Sequence, residues 1–123
     1  MPGDRLLILD DDAMVGQILQ MAAQGAGFEA QRCERHAAFF DAVRDWQPSH
    51  VAVDLLMPEM SGVEVLRQLA VMGCNARIIV SSGAGLGELD AALAEAQALG
   101  LQTAGVLPKP FSLAAVRALL KPA

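Results

Sequence analysis

Residues 51–62 read VAVDLLMPEMSG. An apolar run, Val51-Ala52-Val53, ends in a single carboxylate, Asp54. Leu55, Leu56 and Met57 follow, then Pro58, which cannot donate to a ladder and ends regular pairing. Ser61-Gly62 supplies a turn that opens a helix. An acid that closes an apolar strand just before a loop sits at the sheet edge where α/β proteins place their chemistry. Alone, Asp54 reads equally well as a turn cap. The polar residues that end three other strands favour a functional reading.

Those strands are found by working outward. Residues 5–10, RLLILD, form a short continuous apolar run, the mark of a buried strand, and Asp10-Asp11-Asp12 end it. Asp12 is placed to cap a helix carrying Val15, Ile18, Leu19 and Ala22, which Gly25 and Gly27 stop. Residues 28–33 alternate weakly and suggest an edge strand. Phe39, Phe40, Val43 and Trp46 give one face of a second helix, closed by Gln47-Pro48. Val65, Leu66 and Leu69 mark a third, ended near Gly73. Residues 77–82, RIIVSS, make a fourth strand. Leu86, Leu89, Leu93 and Ala96 make a fourth helix that stops at Gly100. Residues 103–107 make a fifth strand, broken by Pro108-Lys109-Pro110, and Ser112 caps a last helix with Leu113, Val116 and Leu120.

Strands alternating with helices five times predict an α/β fold: a parallel five-stranded sheet with helices on both faces and right-handed crossovers. With strand 2 at an edge and strands 1 and 3 central, the order 2-1-3-4-5 fits, its switch point lying between strands 1 and 3.

At 123 residues the chain is one domain, 1–123, and 54% hydrophobic residues against 19% charged exclude a disordered chain. Aromatics are only 4%, so the core should be aliphatic. The net charge is −5 and the arginines form no stripe, which argues against direct nucleic-acid binding. No apolar run approaches the ~20 residues of a membrane span, and residues 6–9 are too short for a signal-peptide core, so a cytoplasmic location is expected. Cys33 and Cys74 fit no disulfide or metal spacing and read as small buried hydrophobes. His36 and His50 have no partner at ligand spacing and read as structural or surface residues.

The carboxyl ends of the strands should gather Asp10, Asp11, Asp54, Ser82 and Lys109. Three carboxylates in one crevice repel one another unless a cation is present. An oxygen-only set favours Mg²⁺, with Mn²⁺ as a substitute. A hydroxyl, an ammonium and a metal around a lone carboxylate make a phosphoryl-transfer site.

Read together, LILDDD (7–12), VAVDLLMPEMSG (51–62), IIVSSG (78–83) and VLPKPF (106–111) resemble the receiver domain of bacterial two-component response regulators over essentially the whole chain. The likeness is to chemotaxis-response-regulator-like domains with a doubly wound, flavodoxin-like fold. It implies Asp54 as phosphoacceptor. It implies Mg²⁺ held by Asp11, Asp54 and the backbone carbonyl of Leu56, with Asp10 acting through metal-bound water. Ser82 and Lys109 would contact the phosphoryl group, and the Lys109–Pro110 bond would be cis. The implied partners are a sensor histidine kinase or phosphotransfer protein and an output domain or downstream protein meeting the helix 4–strand 5–helix 5 face, with a homodimer compatible. The domain would not be an enzyme, but would promote its own phosphorylation and dephosphorylation.

Some positions depart from that family. Val106 stands where an inward-turning aromatic is usual, and the apolar Leu56 and Ala84 occupy two sites that tune self-dephosphorylation. The segment GLQTAGVLPKPF resembles receivers fused to cyclic-di-GMP phosphodiesterase domains, which leaves open that the chain is cut from a longer regulator. A rival from another class is a haloacid-dehalogenase-type phosphatase with Asp10 as nucleophile and Asp12 as acid/base. That family needs an acidic pair after a later strand, and no carboxylate follows Glu95 in this sequence. A nucleotide-binding module is weaker still, because Gly83, Gly85 and Gly87 space as GxGxG and follow the fourth strand.

Overall fold

A computed structural model describes residues 4–83 and 85–120. The strands are β1 (Arg5–Leu9), β2 (Glu29–Cys33), β3 (His50–Asp54), β4 (Arg77–Ser82) and β5 (Thr103–Pro108). The helices are α1 (Ala13–Gly25), α2 (His36–Trp46), α3 (Gly62–Val71), α4 (Leu86–Ala98) and α5 (Leu113–Leu119). All four pairings are parallel and the order is β2-β1-β3-β4-β5, as expected.

Side chains alternate across each strand, so the central strands feed two apolar layers. Leu7, Leu9, Val51, Val53, Ile78 and Val80 face α2, α3 and α4, meeting Phe39, Val43, Leu66, Leu69, Leu89 and Ala96. Leu6, Ile8, Ala52 and Ile79 face α1 and α5, meeting Leu19, Ala22, Ala23 and Val116. Every residue of β3 is buried, whereas β2 is buried at none, which explains why β3 reads as a solid apolar run and β2 as a weak alternation.

The helix ends follow the local chemistry. The Asp12 carboxylate accepts from the amides of Met14 and Val15, capping α1. Ser61 and Glu64 form a capping box on α3, and Ser112 caps α5 through the amide of Ala115. Gln47 closes α2 in the left-handed region at φ 51°.

Some expectations are corrected. Cys33 and Cys74 are only half-buried, because Cys33 ends the edge strand and Cys74 lies in the loop after α3. Leu86 is exposed, since α4 turns Leu89, Ala92 and Ala96 inward and its first residue falls outside that stripe. Leu113 is likewise exposed at the start of α5, and β5 runs one residue further, to Pro108. His50 is fully buried and packs edge-on against Phe28 at 5.1 Å, a structural role. His36 is also buried, at the start of α2.

Candidate phosphoacceptor and cation site

Parallel strands bring all their carboxyl ends to one edge. At that edge β1 ends before Asp10 and β3 ends on Asp54. β4 ends on Ser82, and Lys109 follows β5. The structure thus brings together the residues singled out in the sequence.

Asp10 is held by both its main chain and its carboxylate. Its amide donates to the carbonyl of Cys33 at 3.2 Å. Its Oδ1 accepts from the amide of Asp12 at 2.9 Å, and its Oδ2 accepts from Lys109 Nζ at 3.0 Å. Asp54 is buried, and its Oδ1 accepts from the amide of Leu56 at 3.0 Å. Its Oδ2 lies 3.4 Å from Lys109 Nζ. The ammonium therefore bridges two carboxylates. Lys109 is itself fixed, because its amide donates to the carbonyl of Ser82 at 3.0 Å. The Lys109–Pro110 bond is cis.

Burial pushes the Asp10 carboxyl above its ordinary value; the nearby Asp54 charge adds to this, and the bonds from Asp12 and Lys109 offset part of it. For Lys109 burial pulls the other way, but the contacts with Asp10 and Asp54 outweigh it, and the ammonium titrates above an ordinary lysine.

Asp11, Asp10 and Asp54 each offer an oxygen within 4.8 Å of the others. Asp11 is exposed and the other two are buried, so the cluster opens to solvent on the Asp11 side. Beside Asp11 is a crevice of about 180 Å³ lined by Glu34, Arg35, His36, Met57, Pro58 and Glu59. The donor set is all oxygen and carries three negative charges, which suits a hard divalent cation such as Mg²⁺.

Close packing on the β3 side depends on Gly62. A Cβ there would stand 2.9 Å from the Cα of Leu55 and 2.3 Å from its Cδ2. Only a glycine lets the start of α3 come so near the backbone that follows Asp54. Ser82 is buried at the end of β4, and Val106 is half-buried on β5 opposite Val80. The Leu56 side chain is exposed, and Ala84 lies outside the described residues.

One residue near the site was not singled out in the sequence. Arg32 Nη1 donates to the main-chain carbonyl of Asp10 at 3.1 Å, and Nη2 to Glu34 Oε1 at 2.8 Å. Arg32 appears in sequence as one more alternating residue of an edge strand, and no spacing rule marks it.

A family model described as the response regulator receiver domain matches residues 6–121. The response regulator MprA of Mycobacterium sp. (strain KMS) is 31% identical over 121 residues, covering 95% of this chain and 50% of that protein. The transcriptional regulatory protein FixJ of Azorhizobium caulinodans is 32% identical over 114 residues, covering 93% of this chain and 52% of that protein. The chain thus spans about half the length of these curated relatives. Among solved structures, the chemotaxis protein CheY4 of Vibrio cholerae superposes with a TM-score of 0.79 at 20% identity, over 94% of this chain and 93% of that one, a likeness of fold. Motifs, fold and relatives agree: the chain belongs to the receiver domains of two-component response regulators.

Proposed function

We propose that the chain, read as a single receiver domain over residues 1–123, is a phosphoacceptor switch that takes a phosphoryl group on Asp54 in a Mg²⁺-dependent reaction. The observation that carries this reading is the Lys109 ammonium, held 3.0 Å from Asp10 and 3.4 Å from Asp54 beside the exposed Asp11. The phosphodonor is a histidine kinase or a phosphotransfer protein, in either case a phosphohistidine. An Asp54 oxygen attacks phosphorus in line. The new P–O bond forms as the P–N bond breaks, and the released imidazole takes a proton from solvent.

Asp11, Asp54 and the Leu56 carbonyl would hold the Mg²⁺, with Asp10 one layer out. When bound, the cation would offset charge on the phosphoryl oxygens. Lys109 offers them a fixed positive charge, and Ser82 a hydroxyl donor. Leu56 puts no polar side chain beside the acceptor, so hydrolysis of the acyl phosphate should be slow. The haloacid-dehalogenase reading is disfavoured because Asp12, its acid/base, spends Oδ1 on the amides of Met14 and Val15.

Downstream, the helix 4–strand 5–helix 5 face would meet an output domain, a downstream protein or a second copy of the chain. Among the described residues no helix is long and apolar enough to cross a membrane, in keeping with a cytoplasmic site of action. The test is labelling with acetyl phosphate and Mg²⁺. Intact-mass measurement should find one phosphoryl group on the parent and none on Asp54→Asn. Labelling of that variant, or modification at Asp10, would overturn the reading.

A further inference from the structure

Asp10 lies one residue beyond the last paired residue of β1, and both polar groups of its main chain are taken by β2. Its amide donates to Cys33, and its carbonyl accepts from the side chain of Arg32. The guanidinium thus acts as one more rung of the ladder, past the point where β1 stops. That carbonyl belongs to the peptide that joins Asp10 to Asp11. Fixing its direction fixes how the Asp11 carboxylate is presented to Asp10 and Asp54.

The side chain reaches the carbonyl by crossing α1, and the helix makes room for it. A Cβ at Gly16 would stand 1.9 Å from Arg32 Cδ and 2.8 Å from Nε. Gly16 is a buried residue inside a helix, where glycine is disfavoured relative to alanine. The missing Cβ is the passage through which Arg32 runs.

We propose that Arg32, admitted by Gly16, is a positioning residue that pre-organises the Asp10–Asp11 peptide for cation binding. The inference rests on the reading of Asp10, Asp11 and Asp54 as the Mg²⁺ site. It makes a prediction of unusual sign. Removing a positive charge beside a cation site strengthens cation binding if charge alone matters. Removing a group that orients the ligands weakens it, by roughly 10-fold at the low end for partners outside the coordination sphere.

The experiment is calorimetric titration of Mg²⁺ into the parent, Arg32→Met and Gly16→Ala, with thermal unfolding of each in metal-free buffer. Gly16→Ala keeps the arginine and its charge but closes its route, and the flexible side chain can swing out, so this variant should fold. Both variants should bind Mg²⁺ about 10-fold more weakly than the parent. Parent-like or tighter binding in either variant overturns the positioning role, even where metal-free stability falls. A parent that binds no Mg²⁺ sinks the cation-site reading itself, and Arg32 with it.

Discussion

The Nζ of Lys109 lies 3.0 Å from Oδ2 of Asp10, a residue 99 positions earlier in the chain. The same ammonium is 3.4 Å from Asp54, so one cation holds two buried acids. Lys109→Met would leave both carboxylates without that partner. A hydrogen bond to a charged group contributes about 1.5–3 kcal/mol, and Lys109 is partly exposed, so a loss of about 1–2 kcal/mol is expected in metal-free buffer. Saturating Mg²⁺ should restore part of it. Urea unfolding checks this; a variant as stable as the parent without metal would show that the bridge contributes nothing.

Asp11 points the other way. It has no ammonium partner among the contacts described, and it adds a third negative charge to a cluster within 4.8 Å. Asp11→Asn should therefore raise the melting temperature without Mg²⁺ and abolish the rise that Mg²⁺ gives the parent. Equal Mg²⁺-induced shifts in the two proteins would remove Asp11 from the ligand set.

The pH dependence follows from the raised titration of Asp10. Folding favours its protonated form, because burial penalises the carboxylate. Its contribution is fully present below the unfolded value of about 3.9 and is lost as pH rises through the higher folded value. Lys109 is raised too, so its contribution is present below about 10.4 and fades only at more alkaline pH. In metal-free buffer the parent should therefore lose stability relative to Asp10→Asn as pH climbs from about 4 toward neutrality. Urea unfolding of both proteins over that range tests it, and a difference that stays flat or moves the other way contradicts the assigned cause.

The switch itself should run through the loop after β4. Phosphorylation at Asp54 would add about −1.5 to −2 charges there, and Ser82 would be drawn toward the new oxygens by charge-assisted hydrogen bonding. Val106 on β5 is short and restricted at χ1, so it cannot refill the vacated space as an aromatic would. Gly83 and Gly85, with Gly85 at φ 114°, sit between Ser82 and α4 and can absorb a backbone shift. Beryllofluoride, a phosphoryl mimic, should perturb the amides of residues 83–95 more than those around Val106. Amide shifts concentrated at Val106 while 83–95 stay still would exclude this route.

The placement of most candidate site residues was legible because a parallel sheet turns sequence order into position. An acid that ends an apolar run must lie at the carboxyl edge, so Asp10, Asp54, Ser82 and Lys109 could be placed together without coordinates. The strand order was legible for a similar reason, since residues 51–53 of β3 form a solid apolar run while β2 carries Glu29, Gln31 and Arg32. What escaped is set by contacts with no period. Leu86 reads as a core residue until the helix shows which stripe faces in. Cys74 reads as buried until the loop after α3 leaves it half-open. Arg32 is visible only when the gap at Gly16 and the carbonyl of Asp10 are seen on either side of it.

The far edge of the sheet has an optical consequence. Trp46, the chain's single tryptophan, ends α2, where Arg5 Nη1 donates to its carbonyl at 2.6 Å and the guanidinium lies 5.4 Å from its ring. Arg5 begins β1 and Asp10 follows its end, a span on the order of 16 Å at about 3.3 Å per residue. The indole is thus remote from the carboxylates and tied to a different edge. Its emission should follow the loss of the Arg5 contact on unfolding and stay nearly unchanged when a cation or a phosphoryl group arrives. Fluorescence of the native chain should therefore report folding and not phosphorylation, and a reporter of the proposed switch would have to be introduced near α4.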